Sequence, residues 1–166
     1  KVARRLKGLT LAYVGDGNNV CNSLLFAAAK TGMNIAVATP AGYAPNSEVV
    51  KQAKEMAKET HSQITITEDP LSAVNGAQVV YTDVWASIGQ EEEISKRKII
   101  FKNFQINARL LTNAAPGVLV MHCLPAHRGE EITDDVMDSK NSIVFDQAEN
   151  RMHVQKAILI KLLSKN

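Results

Sequence analysis

A doubly wound α/β fold, with a mostly parallel sheet flanked by helices on both faces, is what this sequence predicts. Three observations carry that expectation. Short runs rich in Val, Ile or Thr alternate with helical patterns along the whole chain. Most of these runs are bounded by Gly, Pro, Asn or Asp, which end strands. At 166 residues, 45% apolar and 22% charged, the chain suits one soluble domain with a real core.

The strand candidates are Leu11–Val14, Asn34–Thr39, Gln63–Thr67, Gln78–Thr82, Val118–Met121 and Ser142–Phe145. Between the first two, Asn22–Lys30 is apolar on most faces and stops at Gly32. The next helix, Asn46–Thr60, has a cap in Asn46 or Ser47, and Val49, Ala53, Met56 and Ala57 recur at helical spacing. Asp69-Pro70 pairs a cap with proline at the first helical position and opens a short helix ending near Gly76. Glu91–Phe101 reads as a charged helix and Asn107–Asn113 as a shorter one before the Pro116-Gly117 turn. A final helix is expected from about Asn150 to Leu163, with Val154, Ala157, Ile158, Leu162 and Leu163 as its apolar stripe.

Charge and cysteine usage narrow the function classes. Nineteen basic against seventeen acidic residues leave +2, too balanced to point to nucleic acid or an anionic membrane. No run approaches the roughly 20 apolar residues of a membrane span. The basic start KVARRLK lacks the apolar core of a signal peptide. With Cys21 and Cys123 read as reduced thiols, the expected location is cytoplasmic.

In such sheets ligands bind beyond the carboxyl ends of the strands, near the point where strand order reverses. With the order 3-2-1-4-5, three segments would meet there. They are Gly15-Asp16-Gly17-Asn18-Asn19, Asp83-Val84-Trp85-Ala86-Ser87-Ile88-Gly89 and His122-Cys123-Leu124-Pro125. Gly15-x-Gly17 invites a dinucleotide reading, but Val20 stands at the third glycine position. The second strand ends in Ala38-Thr39-Pro40, without an acid for a ribose hydroxyl. No such cofactor is expected. The alternative is a plain turn with Asn18 or Asn19 capping the next helix; the two amides could also hold a carboxylate at the helix's positive end.

Asp83 is a cap or turn former by default, and Trp85 a packing residue. Cys123 is either a small core hydrophobe or a thiol held beside an imidazole and a carboxylate with a shifted pKa. His122, Cys123 and His127 raise the question of zinc, but an adjacent His-Cys pair departs from ligand spacing, so no metal is expected.

Together the three segments, the second continuing into Gln90-Glu91-Glu92 and the third into Ala126-His127-Arg128-Gly129, resemble the ornithine carbamoyltransferase family. Asp146-Gln147-Ala148-Glu149-Asn150-Arg151 is similar to that family's closing motif. The resemblance runs in order from about Leu6 to Leu163. It implies carbamoyl transfer from carbamoyl phosphate to the side-chain amine of L-ornithine, giving citrulline and phosphate. It also implies that residues 1–166 form the ornithine-binding domain alone. The family's Ser-Thr-Arg-Thr phosphate loop and His-Pro-x-Gln segment, which belong to an N-terminal domain, do not occur in this chain.

By that resemblance Asn19, Asp83, Ser87 and the backbone at Ile88 hold the amino-acid end of ornithine. His122, Cys123 and Leu124 sit at the carbamoyl group, and Arg151 reaches carbamoyl phosphate. Asp83 and Cys123 are the catalytic candidates, the thiol accepting or relaying the amine's proton. Ile88 stands where the family usually has Met, and Asn22 where many relatives have His. The family assembles as a trimer chiefly through its N-terminal domain, so a robust trimer is not expected of this chain. Two other readings stay open: a non-catalytic amino-acid-binding module, and transfer to another amine such as putrescine.

Overall fold

A computed structural model describes residues 5–86 and 93–164. Five strands form one parallel sheet: β1 (Thr10–Val14), β2 (Asn34–Ala38), β3 (Ile64–Thr67), β4 (Val79–Thr82) and β5 (Leu119–His122). Their order is β3-β2-β1-β4-β5. The chain winds outward from β1 to β3, then crosses back to β4 on the other side of β1. The reversal therefore falls between β1 and β4, where Tyr13 pairs with Tyr81.

Strand periodicity splits the core in two. On one face Leu11, Tyr13, Ile35 and Val37 pack under α1 (Asn19–Thr31) and α2 (Ser47–Thr60), against Cys21, Leu25, Ala28, Ala53 and Ala57. On the other, Ala12, Val14, Val80 and Val120 meet α3 (Pro70–Val74), α5 (Ala108–Leu111) and α6 (Asp134–Met137) through Val74, Leu110 and Val136. Burying a side chain such as Leu25 stabilises the fold by about 1.5–3 kcal/mol. Phe101 and Phe104, at the end of α4 (Ile94–Ile100) and in the 3-10 turn that follows, belong to the second core.

The helix starts follow local chemistry. Asn46 accepts from the amides of Glu48 and Val49, and Asp69 from those of Leu71 and Ser72 with Pro70 next to it. α1 stops at Gly32, whose φ of 74° suits glycine. Among the described residues no helix is long and apolar enough to cross a membrane.

Two expectations need correction. Ser142–Phe145 is not a strand: Ser142 makes one parallel bridge to Val120, and the helix α7 (Val144–Leu163) begins two residues later. The amide of Val120 donates to Asn141, and that of Ile143 to Val120, so a single rung forms before the backbone coils. The last helix accordingly starts six residues earlier than its apolar stripe suggests. Of its twenty residues, Val144 is buried and nearly all the rest are exposed.

Candidate active site

At the carboxyl ends of β1, β4 and β5, three side chains distant in sequence converge. The Asp83 carboxylate, 6% exposed, is their centre. Its Oδ2 accepts from Nδ2 of Asn18 at 2.9 Å, and its Oδ1 from Sγ of Cys123 at 2.9 Å and from the amide of Val84 at 2.8 Å. Asn18 is the cap of α1: its Oδ1 takes the amides of Val20 and Cys21, which aims its Nδ2 across the sheet at Asp83.

Gly17 serves this turn by absence of a side chain. Its amide donates to Tyr43, and a Cβ there would run into the backbone of Tyr43, Ala44 and Pro45. Gly17 thus packs the β1 turn against the 43–45 segment, while Gly15 faces Thr82 and Asp83. Asn19, next to the cap, has an exposed side chain at the first turn of α1. Asn22 accepts from the amide of Asn46 at 3.3 Å, tying α1 to the start of α2. Ser87 and Ile88 lie outside the described residues.

Burial pushes the Cys123 thiol up to about 12, and the hydrogen bond and negative charge of Asp83 push in the same direction. At neutral pH the group is a thiol that donates to a carboxylate.

His122 is held from both sides of its ring. Its ring is fully buried; Nδ1 accepts from the amide of Leu124 at 2.8 Å, and Nε2 lies 3.0 Å from Oε1 of Glu131. Because Nδ1 is an acceptor, the ring proton sits on Nε2 and points at the carboxylate. Both nitrogens are thus engaged inside the fold. The ring holds the turn in which Leu124 adopts a φ of 56° ahead of a cis Leu124–Pro125 bond.

Sequence reasoning passed over several groups around the rim. Gln147 accepts from the amide of His122 at 3.2 Å and donates to the Tyr81 hydroxyl at 2.9 Å, locking the first turn of α7 to the ends of β4 and β5. Its place in the Asp146–Arg151 motif was the available signal. Arg151 follows one turn later, exposed and on the same side of the helix as Gln147.

Arg97, 6% exposed, binds Oδ2 of Asp16 at 2.7 Å, the carbonyl of Trp85 at 2.8 Å and Oε2 of Glu93 at 3.0 Å. Its guanidinium also stacks 4.8 Å from the Tyr43 ring centre. Burial raises the Asp16 carboxyl above its usual range, although Arg97 pulls it down. Asp16, Asn18, Tyr43, Glu93, Lys96 and Arg97 line an open depression of about 610 Å³ beside Asp83.

Among the described residues, two groups of potential metal ligands each hold their atoms within 4.8 Å of one another: Asp83, His122 and Cys123, and His127, Glu130 and Glu131. In the first, both imidazole nitrogens are already committed. Arg128, conspicuous beside His127 in the sequence, pairs on the surface with Asp134 and Asp138.

A parallel sheet with its strand reversal between β1 and β4 thus carries an amide, an acid and a thiol that meet above that reversal. The chain belongs to the aspartate/ornithine carbamoyltransferase family: the family model for the Asp/Orn binding domain matches residues 7–162. It is 56% identical over 155 residues to ornithine carbamoyltransferase of Thermococcus kodakarensis, covering 93% of this chain and 49% of that protein. It is 57% identical over 159 residues to the Archaeoglobus fulgidus enzyme of that name, covering 96% and 50%. The solved ornithine carbamoyltransferase of Pyrococcus furiosus superposes with a TM-score of 0.90 at 54% identity, over 94% of this chain and 50% of that one. The Gloeobacter violaceus structure gives 0.89 at 52%, over 96% and 53%. The chain spans about half the length of the curated relatives it matches.

Proposed function

We propose that this chain is the ornithine-binding half of an ornithine carbamoyltransferase, which moves the carbamoyl group of carbamoyl phosphate onto the side-chain amine of L-ornithine. The observation that carries the reading is the meeting of Asn18, Asp83 and Cys123 at one rim. Asn19 lies beside them at the positive end of α1, suited to a carboxylate. The name of the Pyrococcus furiosus relative includes "anabolic", which favours the biosynthetic direction.

An alkyl amine has a pKa near that of lysine, about 10.4, so at neutral pH ornithine arrives protonated. It must lose a proton before its nitrogen attacks the carbamoyl carbon. Asp83 is the acceptor at hand, since Cys123 stays protonated. The thiol and the Leu124 amide turn border the position of the transferring group. Arg151, on the exposed side of α7, is placed for the phosphate. The phosphate clamp itself belongs to the part of the relatives that this chain does not span. Holding both substrates in attack geometry can lower a barrier by about 7–11 kcal/mol, so the chain by itself has little turnover.

Calorimetric titration with L-ornithine and with putrescine tests the reading. Ornithine binding that Asp83→Asn weakens at least tenfold supports it, with citrulline formation from both substrates near background. Equal binding of putrescine would move the reading to another amine. No ornithine binding by a folded chain, or binding indifferent to Asp83→Asn, would refute the site.

A further inference from the structure

Glu131 is fully buried in the segment between β5 and α6, and its backbone is pinned by the amide of Ile106 at 2.8 Å. Its Oε1 accepts twice, from the amide of His127 at 2.6 Å and from Nε2 of His122 at 3.0 Å. Its Oε2 is buried and has no partner among the described residues. Burying a carboxylate with one idle oxygen is costly, and an apolar residue of similar size would avoid that cost. Packing therefore does not account for this acid; the two donors it receives do.

We propose that Glu131 is a positioning residue that sets the tautomer of His122 and, through it, the turn that presents Cys123 to Asp83. The proposal rests on the reading of Asp83 and Cys123 as the site. The chain of contacts is continuous: Glu131 takes the proton-bearing Nε2, so Nδ1 is left as an acceptor. Nδ1 takes the Leu124 amide, and that bond fixes the left-handed residue directly after Cys123. A ring with its proton on Nδ1 would face the Leu124 amide donor to donor, and the turn would open. Glu131 touches neither the thiol nor Asp83; its bond to the His127 amide holds the loop beyond Pro125, and its route to the thiol runs through His122.

The test uses the two cysteines of the chain against each other. Cys21 is fully buried on α1, outside the 122–131 loop, and reports global opening. Cys123 reports the turn. Iodoacetamide labelling of Glu131→Leu, read by mass spectrometry, is expected to speed Cys123 at least tenfold while Cys21 keeps its wild-type rate. Glu131→Gln, whose carbonyl can still accept both donors, should stay within about threefold of wild type. In His122→Asn, whose amide oxygen can take the Leu124 amide without help, adding Glu131→Leu should change the Cys123 rate less than twofold.

Imidazole 15N shifts of the wild-type chain at pH 7 give a reading free of any variant, and the Nε2–H tautomer at His122 is expected. An Nδ1–H tautomer, or Cys123 labelling indifferent to a folded Glu131→Leu, overturns the proposal. So does parallel acceleration of both cysteines. These readouts need no substrate, so their failure is separable from failure of ornithine binding.

Discussion

The thiol of Cys123 donates to the carboxylate of Asp83 across 2.9 Å, although forty residues separate them in the chain. Burial first, then that bond and that charge, lift the thiol to about 12. Removing the charge while keeping the shape should let the thiol ionise more readily. In Asp83→Asn, alkylation of Cys123 at pH 8.5 is expected to rise about tenfold, the effect of one pKa unit. An unchanged rate would mean that burial alone sets the thiol.

Alkali should unfold this protein earlier than its composition suggests. Cys21 and Cys123 are raised from an ordinary value of 9.0 to about 12, and burial pushes Tyr13 and Tyr81 up as well. Each folded value lies above the unfolded one, so the folded state holds these protons more tightly. Their contribution to stability is complete below about pH 9 and is lost as pH climbs from there through 12. Urea midpoints should hold steady from pH 7 to 8.5 and fall by pH 10.5. Cys21→Ala should fall less steeply.

Replacing Gly17 with alanine drives a Cβ into the backbone of Tyr43, Ala44 and Pro45. Main chain cannot swing aside as a long side chain can, so a loss of about 1–3 kcal/mol is expected. The shifted turn also carries the Asn18 cap, so ornithine affinity should drop along with the urea midpoint. Full affinity in a destabilised Gly17→Ala chain would separate the turn from the site.

Arg97 offers a sharper energetic test. Removing it alone leaves Asp16 buried without its partner, a defect of about 3–5 kcal/mol. Arg97→Met is therefore expected to be far less stable than wild type, while Asp16→Asn combined with Arg97→Met should recover part of the loss. Additive losses in chemical denaturation would show that the two side chains are not coupled.

Much of this was legible from residue patterns. Alternating strand and helix signals specify a parallel sheet, and once its order is β3-β2-β1-β4-β5 the loops after β1, β4 and β5 share one rim. What patterns could not resolve were pairings set by contact. Asn18 rather than Asn19 turns to Asp83 because the helix starts one residue earlier than a two-asparagine motif can specify. The ring of His122 was open to two roles until Glu131, nine residues on, proved to occupy one nitrogen. Ser142–Phe145 carries strand composition, yet one rung to Val120 is all it forms before α7 begins. Arg97 looked like part of a solvated charged helix, since no periodicity distinguishes a buried guanidinium from its exposed neighbours.

The outer face of α7 supports a last prediction. Val154, Ile158 and Leu162 recur every four residues on one stripe and are 57%, 51% and 75% exposed, with Leu163 at 77%. A continuous apolar stripe on an otherwise solvated helix favours association at high concentration. Sedimentation velocity of the chain should show a weight-average mass that rises between about 5 and 200 μM, the span over which weak contacts populate. Ile158→Glu with Leu162→Glu should hold it monomeric without altering the urea midpoint, because neither side chain packs against the core. If the charged pair associates as readily as wild type, the contact lies elsewhere on the surface, and the stripe is not what brings copies together.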